Sequence, residues 1–415
     1  MITNLLRFLF TGSLKPFIFT NEDNYNFDTN IQELGIYIHI PFCTTLCPFC
    51  PYNKVKYDKA LASSYKDALI KEIHMVSALN NKNNEISSVY FGGGSPALML
   101  DELSDILTVL KNNFHIRSNI GIELHPQDIN EEDLLKLKNI GFDMVSIGIQ
   151  SFQEKCLKIL DRGYINGTEK VKIAAASGFT TIDVNLMFGI KGQTKEDLKN
   201  DFTTAFNSGA TQVSTYPFID FSYADNKSKP LGKKYKKELF QCLETISREL
   251  NCSRTAVWTF GRKDIPQYSS ITRDNFIGFG SSAATILKDF FKINTFSVSE
   301  YINCINNNKI PTSLTLNFSR KTRALYWLFW NCYTLKIHSN HFKKLFDTKL
   351  EHIFKLELWL GVLLGLIIKT KEGYELTKKG AYAYHLVEQA YTHYYIDKTW
   401  RILKQEAWPD KIKLY

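Results

Sequence analysis

Three of the eight cysteines lie close together and could hold a metal centre. Cys43, Cys47 and Cys50 have the spacing C-x3-C-x2-C and directly follow a run of β-type residues that ends at Ile40. Zinc sites usually come from two C-x2-C pairs or from one pair with histidines, and this chain has no second pair. Three thiolates suit a [4Fe–4S] cluster, which normally takes four cysteines, and they leave one iron open. An open iron is what the binding of a substrate or cofactor requires.

The sequence around these cysteines resembles the radical S-adenosylmethionine (SAM) superfamily, whose signature is C-x3-C-x2-C after a first strand. The residues YIHIPFC, Tyr37–Cys43, resemble the branch that contains oxygen-independent coproporphyrinogen oxidase (HemN) and the heme chaperone HemW. The resemblance covers roughly residues 35–290 and keeps the family order. Its other motifs are FGGGSP (Phe91–Pro96), IELHP (Ile122–Pro126), SIGIQSF (Ser146–Phe152), LDRGY (Leu160–Tyr164), DVNLMFGIKGQT (Asp183–Thr194), YPF (Tyr216–Phe218) and GFGSSA (Gly278–Ala283).

This resemblance implies a role for each matching position. Cys43, Cys47 and Cys50 would ligate the [4Fe–4S] cluster, and the amino and carboxylate groups of SAM would chelate the open iron. A second SAM molecule is implied for the HemN-like branch. The positions that the resemblance assigns to SAM binding are Tyr37, Phe49, Gly93, Gly94, Ser95, Glu123, Gln150, Arg162, Asp183 and Pro217.

Within this set the implied tasks differ. Gly93 and Gly94 would support the SAM amino group, and their lack of a Cβ atom would permit close approach of the backbone. Glu123 would offer a carboxylate to the amino or hydroxyl groups of SAM, and Arg162 a guanidinium to its carboxylate. Tyr37 would pack against the cofactor. The residues that match a second SAM site are Phe49, Gln150 and Asp183.

A structural role is the alternative for several of these side chains. Tyr37 could be a core residue of its strand, and Glu123 could join a network with the nearby His125. Arg162 could pair with Asp161 at the surface. An unpaired carboxylate inside an apolar strand is costly, which favours a function for Asp183. We expect His39 to be a core histidine whose hydrogen bonds are satisfied.

Six β-type runs alternate with amphipathic helical patterns between about residues 35 and 220. The runs are Ile36–Ile40, Ile86–Phe91, Ile120–Leu124, Met144–Ile149, Ile182–Met187 and Gln212–Phe218. This pattern predicts parallel strands joined by right-handed crossovers, in an open barrel or a doubly wound sheet. The resemblance implies an α/β fold with a partial (β/α)6 barrel. Polar residues and glycines gather just after these runs, where the carboxyl ends of parallel strands carry active sites.

The remaining sequence predicts a lead segment and two further regions around the barrel. The predicted divisions are residues 1–34 (lead segment), 35–225 (radical SAM core), 226–310 (core extension) and 311–415 (a mainly helical, winged-helix-like domain). Met1–Leu14 is predicted as a lead-in helix. Phe342–Phe354 and Leu356–Leu364 are predicted as paired helices before a hairpin at Thr370–Thr377. The apolar stretch Leu356–Ile368 predicts a buried helix, since it is too short to cross a membrane.

The bulk composition excludes several classes of protein. The 415 residues carry a net charge of +9, but lysines alternate with acidic residues and no basic run is interleaved with aromatics, which argues against nucleic acid as a partner. No stretch reaches the roughly 18 apolar residues of a membrane span. Scattered cysteines are typical of reduced thiols, so a cytoplasmic protein is expected.

The resemblance leaves the reaction open among three alternatives. HemN carries a further cysteine two residues after its cluster motif, where this chain has Tyr52. That difference disfavours oxidative decarboxylation of coproporphyrinogen, and Tyr268–Arg273 looks closer to HemN-like C-methyltransferases. Methyl or methylene transfer to an sp2 carbon of a tetrapyrrole is therefore favoured over a coproporphyrinogen oxidase or a HemW-like heme chaperone. A flavodoxin- or ferredoxin-type protein would supply electrons.

A cluster-bearing binding module without catalysis is the alternative from another class. Stoichiometric heme binding without SAM consumption would distinguish a binding protein from an enzyme. Three aromatic residues could stack on a flat ligand or could be core residues: Trp258, Tyr268 and Trp327.

Overall fold

The computed structural model describes residues 16–22, 34–79, 85–117, 119–269 and 274–414. The lead-in helix predicted at Met1–Leu14 lies outside these residues. The strands are β1 Phe17–Thr20, β2 Leu34–Ile40, β3 Phe42–Cys43, β4 Val55–Lys56, β5 Glu85–Gly93, β6 His115–Ile116, β7 Ile120–Leu124, β8 Met144–Gln150, β9 Thr181–Phe188, β10 Gln212–Pro217, β11 Ser253–Ala256, β12 Thr259–Gly261, β13 Phe276–Phe279, β14 Ala284–Ile286, β15 Phe290–Asn294, β16 Thr312–Asn317, β17 Lys336–His338, β18 Ile367–Lys369, β19 Gly373–Leu376 and β20 Lys411–Leu414.

Helices connect these strands and cover one face of the main sheet. They are α1 Lys59–Ala78, α2 Leu100–Asn113, α3 Glu131–Ile140, α4 Glu154–Ile159, α5 Gly167–Ala176, α6 Lys195–Asn207, α7 Lys233–Glu249, α8 Val298–Asn306, α9 Arg320–Tyr333, α10 Ser339–Phe346, α11 Leu350–Ile353, α12 Lys355–Leu363, α13 Lys378–Tyr391 and α14 Asp397–Gln405. Short 3-10 helices follow β5 and β7, and a π-helix spans Thr392–Ile396. No helix in the described part of the chain is both long and apolar enough to cross a membrane.

The central part of the main sheet is parallel, as the sequence predicts. Its strands stand in the order β10, β9, β8, β7, β5, β2 and β13, and each pairs in parallel with its neighbour. The first six are the six predicted runs, with ends within one or two residues of the prediction. The α/β fold with a partial barrel of parallel strands is therefore confirmed. The strand that the prediction lacked, β13, pairs with β2 and ends within the GFGSSA motif, at Phe279.

Alternation along these strands separates an apolar face from a polar one. In β9, Ile182 and Val184 belong to the hydrophobic core, while Asp183 and Asn185 point to the opposite face. In β8, Ser146 has the same polar orientation and lies beside Asp183 in the parallel register. Because the apolar face is covered by helices, the polar face forms the inside of the partial barrel, called the lumen here.

Antiparallel strands extend the parallel sheet on both sides. β14, β15, β16, β1 and β20 follow β13, and β12 and β11 follow β10. Strand β1 pairs with both β16 and β20, so the N-terminal segment and the last strand of the chain meet in one sheet. The sheet runs without interruption past residue 310. The predicted divisions at 225 and 310 remain predictions.

A separate small sheet identifies the winged-helix-like part. Strands β17, β19 and β18 form an antiparallel sheet in that order, and α9, α10, α11 and α12 precede its hairpin. Its core contains Trp327, Phe342 and Phe354. This arrangement confirms the predicted winged-helix-like domain and places Trp327 in its core, rather than at a ligand.

The prediction of a buried helix at Leu356–Ile368 is wrong. The helix α12 ends at Leu363, and large apolar side chains on it face outward, with Trp359 58% and Leu363 65% exposed. Only Leu358 of this helix is fully buried. An apolar run without interspersed polar residues shows no helical periodicity. The sequence therefore does not indicate which face of the helix is exposed.

A buried glutamate connects α1 to the GFGSSA motif. Glu72 is 1% exposed, and its Oε2 atom accepts hydrogen bonds from the Gly280 amide (2.7 Å) and the Tyr301 hydroxyl (2.7 Å). Its Oε1 atom accepts one from Asn294 Nδ2 (2.9 Å). Burial raises the pKa of Glu72 to about 7. Three donors therefore depend on one carboxyl group for their hydrogen bonds.

We expect Glu72→Ala to lower the free energy of unfolding by at least about 3 kcal/mol, because it leaves three interior donors without an acceptor. Urea denaturation followed by circular dichroism measures this change. Glu249→Ala, which removes an exposed glutamate paired with Lys199, should change the same quantity by less than about 0.5 kcal/mol. Equal losses in the two variants would contradict the structural role of Glu72.

Candidate active site

The three clustered cysteines lie on one loop that leaves the carboxyl end of β2. The loop is closed at its base, because β3 pairs with β4, the Val55 amide donates to the Pro41 carbonyl (2.8 Å) and the Tyr57 amide to the Cys43 carbonyl (2.9 Å). Within the loop, the Cys50 amide donates to the Cys47 carbonyl (3.2 Å). A closed loop of this kind keeps its side chains at the mouth of the lumen.

The three thiols are partly exposed and carry no disulfide. Burial, with the neighbouring Cys50 and Cys47, raises the pKa of Cys43 to about 12. Burial lowers the pKa of the Arg162 guanidinium, and the three nearby cysteines act on it in the opposite direction. Grouped thiols whose ionisation is disfavoured become thiolates when bound iron supplies positive charge.

This donor set fits a [4Fe–4S] cluster by its chemistry. Among the described residues, no three histidine, cysteine, aspartate or glutamate side chains lie close enough to hold a single metal ion. A [4Fe–4S] cluster does not require the three thiolates to converge on one ion, because each thiolate binds a separate iron. An apolar cluster that includes Phe49, Met187 and Phe218 packs against Cys47 and Cys50 and keeps water from that side of the site.

The glycine-rich end of β5 packs directly under the cysteine loop. The Gly94 amide donates to the Ile40 carbonyl (2.7 Å) and the Ser95 amide to the Phe42 carbonyl (2.7 Å). A Cβ atom on Gly94 would collide with the backbone of Phe42, and Gly93 has a φ of 113° that side chains rarely adopt. These glycines are therefore required by the protein itself. Their predicted contact with SAM remains a prediction.

The neighbouring strand end supplies a carboxylate. Glu123, on β7, accepts a hydrogen bond from the Gly93 amide through Oε2 (3.1 Å). Burial raises its pKa, the Gly93 bond acts against this, and Asp183 adds to the increase. His125 belongs elsewhere, because its Nδ1 atom accepts from the Gln127 amide (3.2 Å). Glu123 thus stands beside the glycine-rich end rather than in a network with His125.

Arg162 points inward and does not pair with Asp161. Its Nη2 atom donates to the Gly148 carbonyl (2.6 Å), whereas Asp161 forms an ion pair with Lys227 (2.7 Å). The surface pair considered from the sequence is therefore wrong. Gln150 lies near this arginine at the end of β8, with a positive φ of 70° that non-glycine residues adopt rarely. Ser95, at the end of β5, donates its hydroxyl to Asp128.

Asp183 is buried in the lumen and accepts two hydroxyl hydrogen bonds. Ser146 Oγ donates to Oδ2 (2.9 Å) and Ser214 Oγ to Oδ1 (2.9 Å), from the strands on either side. Burial raises its pKa to about 6, and the hydroxyls act in the opposite direction. Asp183 is therefore hydrogen-bonded across three strands, but no cation among the described residues forms an ion pair with it.

Tyr37, His39 and the Asn53 carbonyl are joined by two consecutive hydrogen bonds. His39 Nε2 lies 3.0 Å from the Asn53 carbonyl, and Nδ1 lies 3.2 Å from the Tyr37 hydroxyl. Burial lowers the pKa of His39 to about 4, so the ring is neutral. Because a carbonyl only accepts, Nε2 carries the proton and Nδ1 accepts from Tyr37. This confirms His39 as a core histidine whose two ring nitrogens are both hydrogen-bonded.

The sequence analysis did not identify several residues that line the lumen. Pro217, which was predicted, is buried at the end of β10, whereas the adjacent Tyr216 keeps 39% of its surface exposed. Tyr52 is 51% exposed, and burial nonetheless raises the pKa of both tyrosines, as expected for rings that line a concave cavity. Tyr333, on α9, packs against the Trp258 ring that also contacts Tyr216, and no local motif marks it.

Two of the aromatic residues considered for stacking belong to internal contacts. The Trp258 indole donates to His385 Nδ1 (3.0 Å) and is almost fully buried. Tyr268 packs edge-on against Tyr90, with ring centroids 4.8 Å apart.

Comparisons with known proteins agree with this geometry. Residues 37–205 match the model of the Radical SAM superfamily. The heme chaperone HemW of Buchnera aphidicola is 24% identical over 373 residues, which cover 84% of this chain and 96% of that protein. The oxygen-independent coproporphyrinogen III oxidase of Salmonella typhimurium is 34% identical over 206 residues, 46% of this chain and 44% of that protein.

A solved structure shares the architecture over most of the chain. It is that of coproporphyrinogen III oxidase (HemN) from Escherichia coli, with a TM-score of 0.73, 21% sequence identity and coverage of 87% of this chain and 91% of that one. The match includes the parallel core and extends well beyond residues 37–205. The chain therefore carries a radical SAM domain at residues 37–205 and is similar to the heme chaperone HemW and to HemN-type coproporphyrinogen oxidases.

Proposed function

We propose that this radical SAM protein cleaves SAM reductively and acts on a tetrapyrrole. The observation that carries the proposal is the convergence of the cysteine loop, the glycine-rich end of β5, Glu123 and Arg162 at one end of the lumen. The family uses a [4Fe–4S] cluster and SAM. When bound, they supply one-electron cleavage of SAM to methionine and a 5′-deoxyadenosyl radical, which takes a hydrogen atom from the substrate.

The residues of this chain would bind and orient the cofactors. Cys43, Cys47 and Cys50 would hold the cluster. Arg162 would place a guanidinium against the SAM carboxylate, and Glu123 would accept hydrogen bonds from its amino or hydroxyl groups. Phe49 and the apolar residues around it would exclude water from the site, which strengthens each of these charged contacts.

The substrate class rests on the relatives and on the aromatic lining of the lumen. The named relatives are a heme chaperone and coproporphyrinogen oxidases, both of which act on tetrapyrroles by name. Methyl or methylene transfer, with a second SAM near Phe49, Gln150 and Asp183, remains our proposal for the reaction. The position of Tyr52 in place of a cysteine supports it against oxidative decarboxylation. A flavodoxin- or ferredoxin-type electron donor and a cytoplasmic location complete the proposal.

Anaerobic reconstitution, reduction and addition of SAM test this function, with 5′-deoxyadenosine and S-adenosylhomocysteine quantified by mass spectrometry. We expect 5′-deoxyadenosine from the wild type and none above background from the Cys43/Cys47/Cys50→Ala variant, because that variant lacks every cluster ligand. Cys242→Ala serves as a control that removes a cysteine outside the site. Equal product from wild type and triple variant would contradict the proposal, and S-adenosylhomocysteine would favour methyl transfer.

A HemW-like heme chaperone is the second candidate, supported by a match that covers 96% of one HemW protein. Titration of the reconstituted protein with heme, followed by absorbance, separates the two functions. A chaperone should bind heme stoichiometrically, with no product derived from SAM. For the enzyme we expect SAM cleavage whether or not heme is present.

We also expect Gly94→Ala to reduce the iron bound per chain, because the added methyl group would push the Phe42 backbone and the cysteine loop out of place. Overpacking of this kind costs about 1–3 kcal/mol. Iron is measured after reconstitution, and circular dichroism checks the fold. Gly232→Ala, at a position with open space around it, should bind iron as the wild type does. Full iron loading in Gly94→Ala would contradict the role of this glycine in positioning the cysteine loop.

A further inference from the structure

Helix α12 presents an apolar face to the outside of the protein. Leu356, Trp359 and Leu363 are large and exposed, and their spacing of three and four residues places them on one side of the helix. Leu358 points to the opposite side and is buried in the core of the winged-helix-like part. The helix is therefore attached to the protein by its inner side, and its outer side is left uncovered by the described residues.

The strand beside α12 extends this face. Ile367, on β18, is buried, and a Cβ atom on Gly361 would lie 3.0 Å from its Cδ1 atom, so the strand packs against the helix. Neighbouring residues of a strand point to opposite sides, and Ile368 is accordingly exposed. The six exposed side chains are called the apolar patch here, and each has 44–65% of its surface exposed: Leu356, Trp359, Val362, Leu363, Leu364 and Ile368.

An apolar patch of this kind indicates an interaction surface. Exposed apolar residues are usually scattered singly, and a contiguous patch of more than roughly a few hundred Å² marks a site of contact with a protein or a membrane. The run of residues that forms the patch is too short to cross a bilayer. The ligand must therefore lie against the outer side of α12.

Lysines surround the apolar patch. Lys355 directly precedes its first residue, Lys369 directly follows its last one, and Lys371 lies in the turn of the hairpin. All three are exposed, and none forms an ion pair with another described residue. At the end of the helix, Lys379 Nζ donates to the Leu364 carbonyl (2.8 Å).

The acidic residues near the patch are fewer and mostly engaged. Residues 336–379 contain nine lysines and five acidic residues. Glu351 accepts a hydrogen bond from the Tyr374 hydroxyl (3.2 Å), and Glu372 lies 3.5 Å from His338. Glu357, the one acid within α12, is half-buried. The surroundings of the apolar patch are therefore positively charged and complement a negatively charged surface.

This combination of residues favours a lipid surface over a protein partner. Protein interfaces are enriched in arginine and tyrosine and depleted in lysine, whereas residues 336–379 contain no arginine and their one tyrosine is buried. Leucine and tryptophan on one face of a helix, with lysines around it, are typical of helices that lie in the bilayer–water boundary. Lysine stems can follow the apolar surface there while the ammonium groups reach phosphates.

We propose that the apolar patch binds the surface of a bilayer that contains anionic phospholipids. Trp359 and Leu363 enter the boundary between headgroups and acyl chains, and Lys355 and Lys369 contact lipid phosphates. The helix lies parallel to the membrane, and no part of it crosses. This binding does not depend on the reaction at the cluster site.

Flotation of the reconstituted full chain with lipid vesicles tests the proposal. We expect at least about tenfold stronger binding to an equal mixture of phosphatidylglycerol and phosphatidylcholine than to phosphatidylcholine alone, because each lysine near an anionic surface raises the affinity several-fold. Added salt should weaken this binding. Lys355→Gln/Lys369→Gln should lose most of the preference for the mixed vesicles.

Substitution of the apolar side chains tests their insertion. Trp359→Ser/Leu363→Ser should bind the mixed vesicles at least about tenfold more weakly than the wild type, because it removes apolar surface that the lipid would cover. Its melting temperature should stay unchanged, since both side chains are exposed. Leu135→Ser serves as the matched control, because Leu135 is 61% exposed on α3, outside the apolar patch, and should bind as the wild type does.

Light scattering of the same samples without vesicles distinguishes a lipid surface from a second copy of the chain. The inference is wrong if the wild type does not bind the mixed vesicles, or if Trp359→Ser/Leu363→Ser binds them as the wild type does. A wild-type dimer that this variant abolishes, with no vesicle binding, would also overturn it and would assign the patch to a second copy.

Discussion

The contact between the glycine-rich end of β5 and the backbone of the cysteine loop is the constraint on which the rest of the site depends. Gly94 and Ser95 bond to the carbonyls of Ile40 and Phe42, and there is no room for a side chain at Gly94. This contact fixes the loop of Cys43–Cys50 over the lumen. It also sets the Gly93 amide against Glu123. The proposed cluster ligands and the proposed SAM-binding residues Gly93, Gly94 and Glu123 therefore lie together because two strand ends are packed backbone to backbone.

The interior of the protein contains buried carboxylates that lower the stability of the fold. Asp183 and Glu388 are buried, their pKa values are raised by that burial, and neither has an ion-pair partner among the described residues. An apolar side chain in place of Glu388 would cost the fold less, because one of its buried carboxyl oxygens receives no hydrogen bond. Glu72, which is equally buried, differs because three donors satisfy it. Asp183 lies between these two cases, because two hydroxyl groups donate to it and no cation pairs with it among the described residues.

The sequence predicted those parts of the fold that depend on local pattern. The run Ile120–Leu124 was predicted to the residue, because its apolar, isoleucine-rich pattern lies between Asn119 and the pair His125–Pro126. The cysteine spacing identified the cluster loop for a similar reason, since all three ligands are local. The apolar run at residues 356–368 was wrongly predicted to be buried. The exposure of its side chains depends on which distant elements pack against it, and the local sequence does not show this. Tyr216 and Tyr333 could not be predicted, since they meet at Trp258 only after distant elements pack together.

The EPR spectrum of the reduced, reconstituted protein, recorded with and without SAM, tests the central claim most directly. The claim is that three thiolates from one loop leave an iron open to SAM at the mouth of the lumen. The account predicts that SAM changes the spectrum and that an isotopically labelled SAM carboxylate gives a hyperfine coupling to the cluster. A spectrum unaltered by SAM, with SAM binding verified by dialysis, would contradict it.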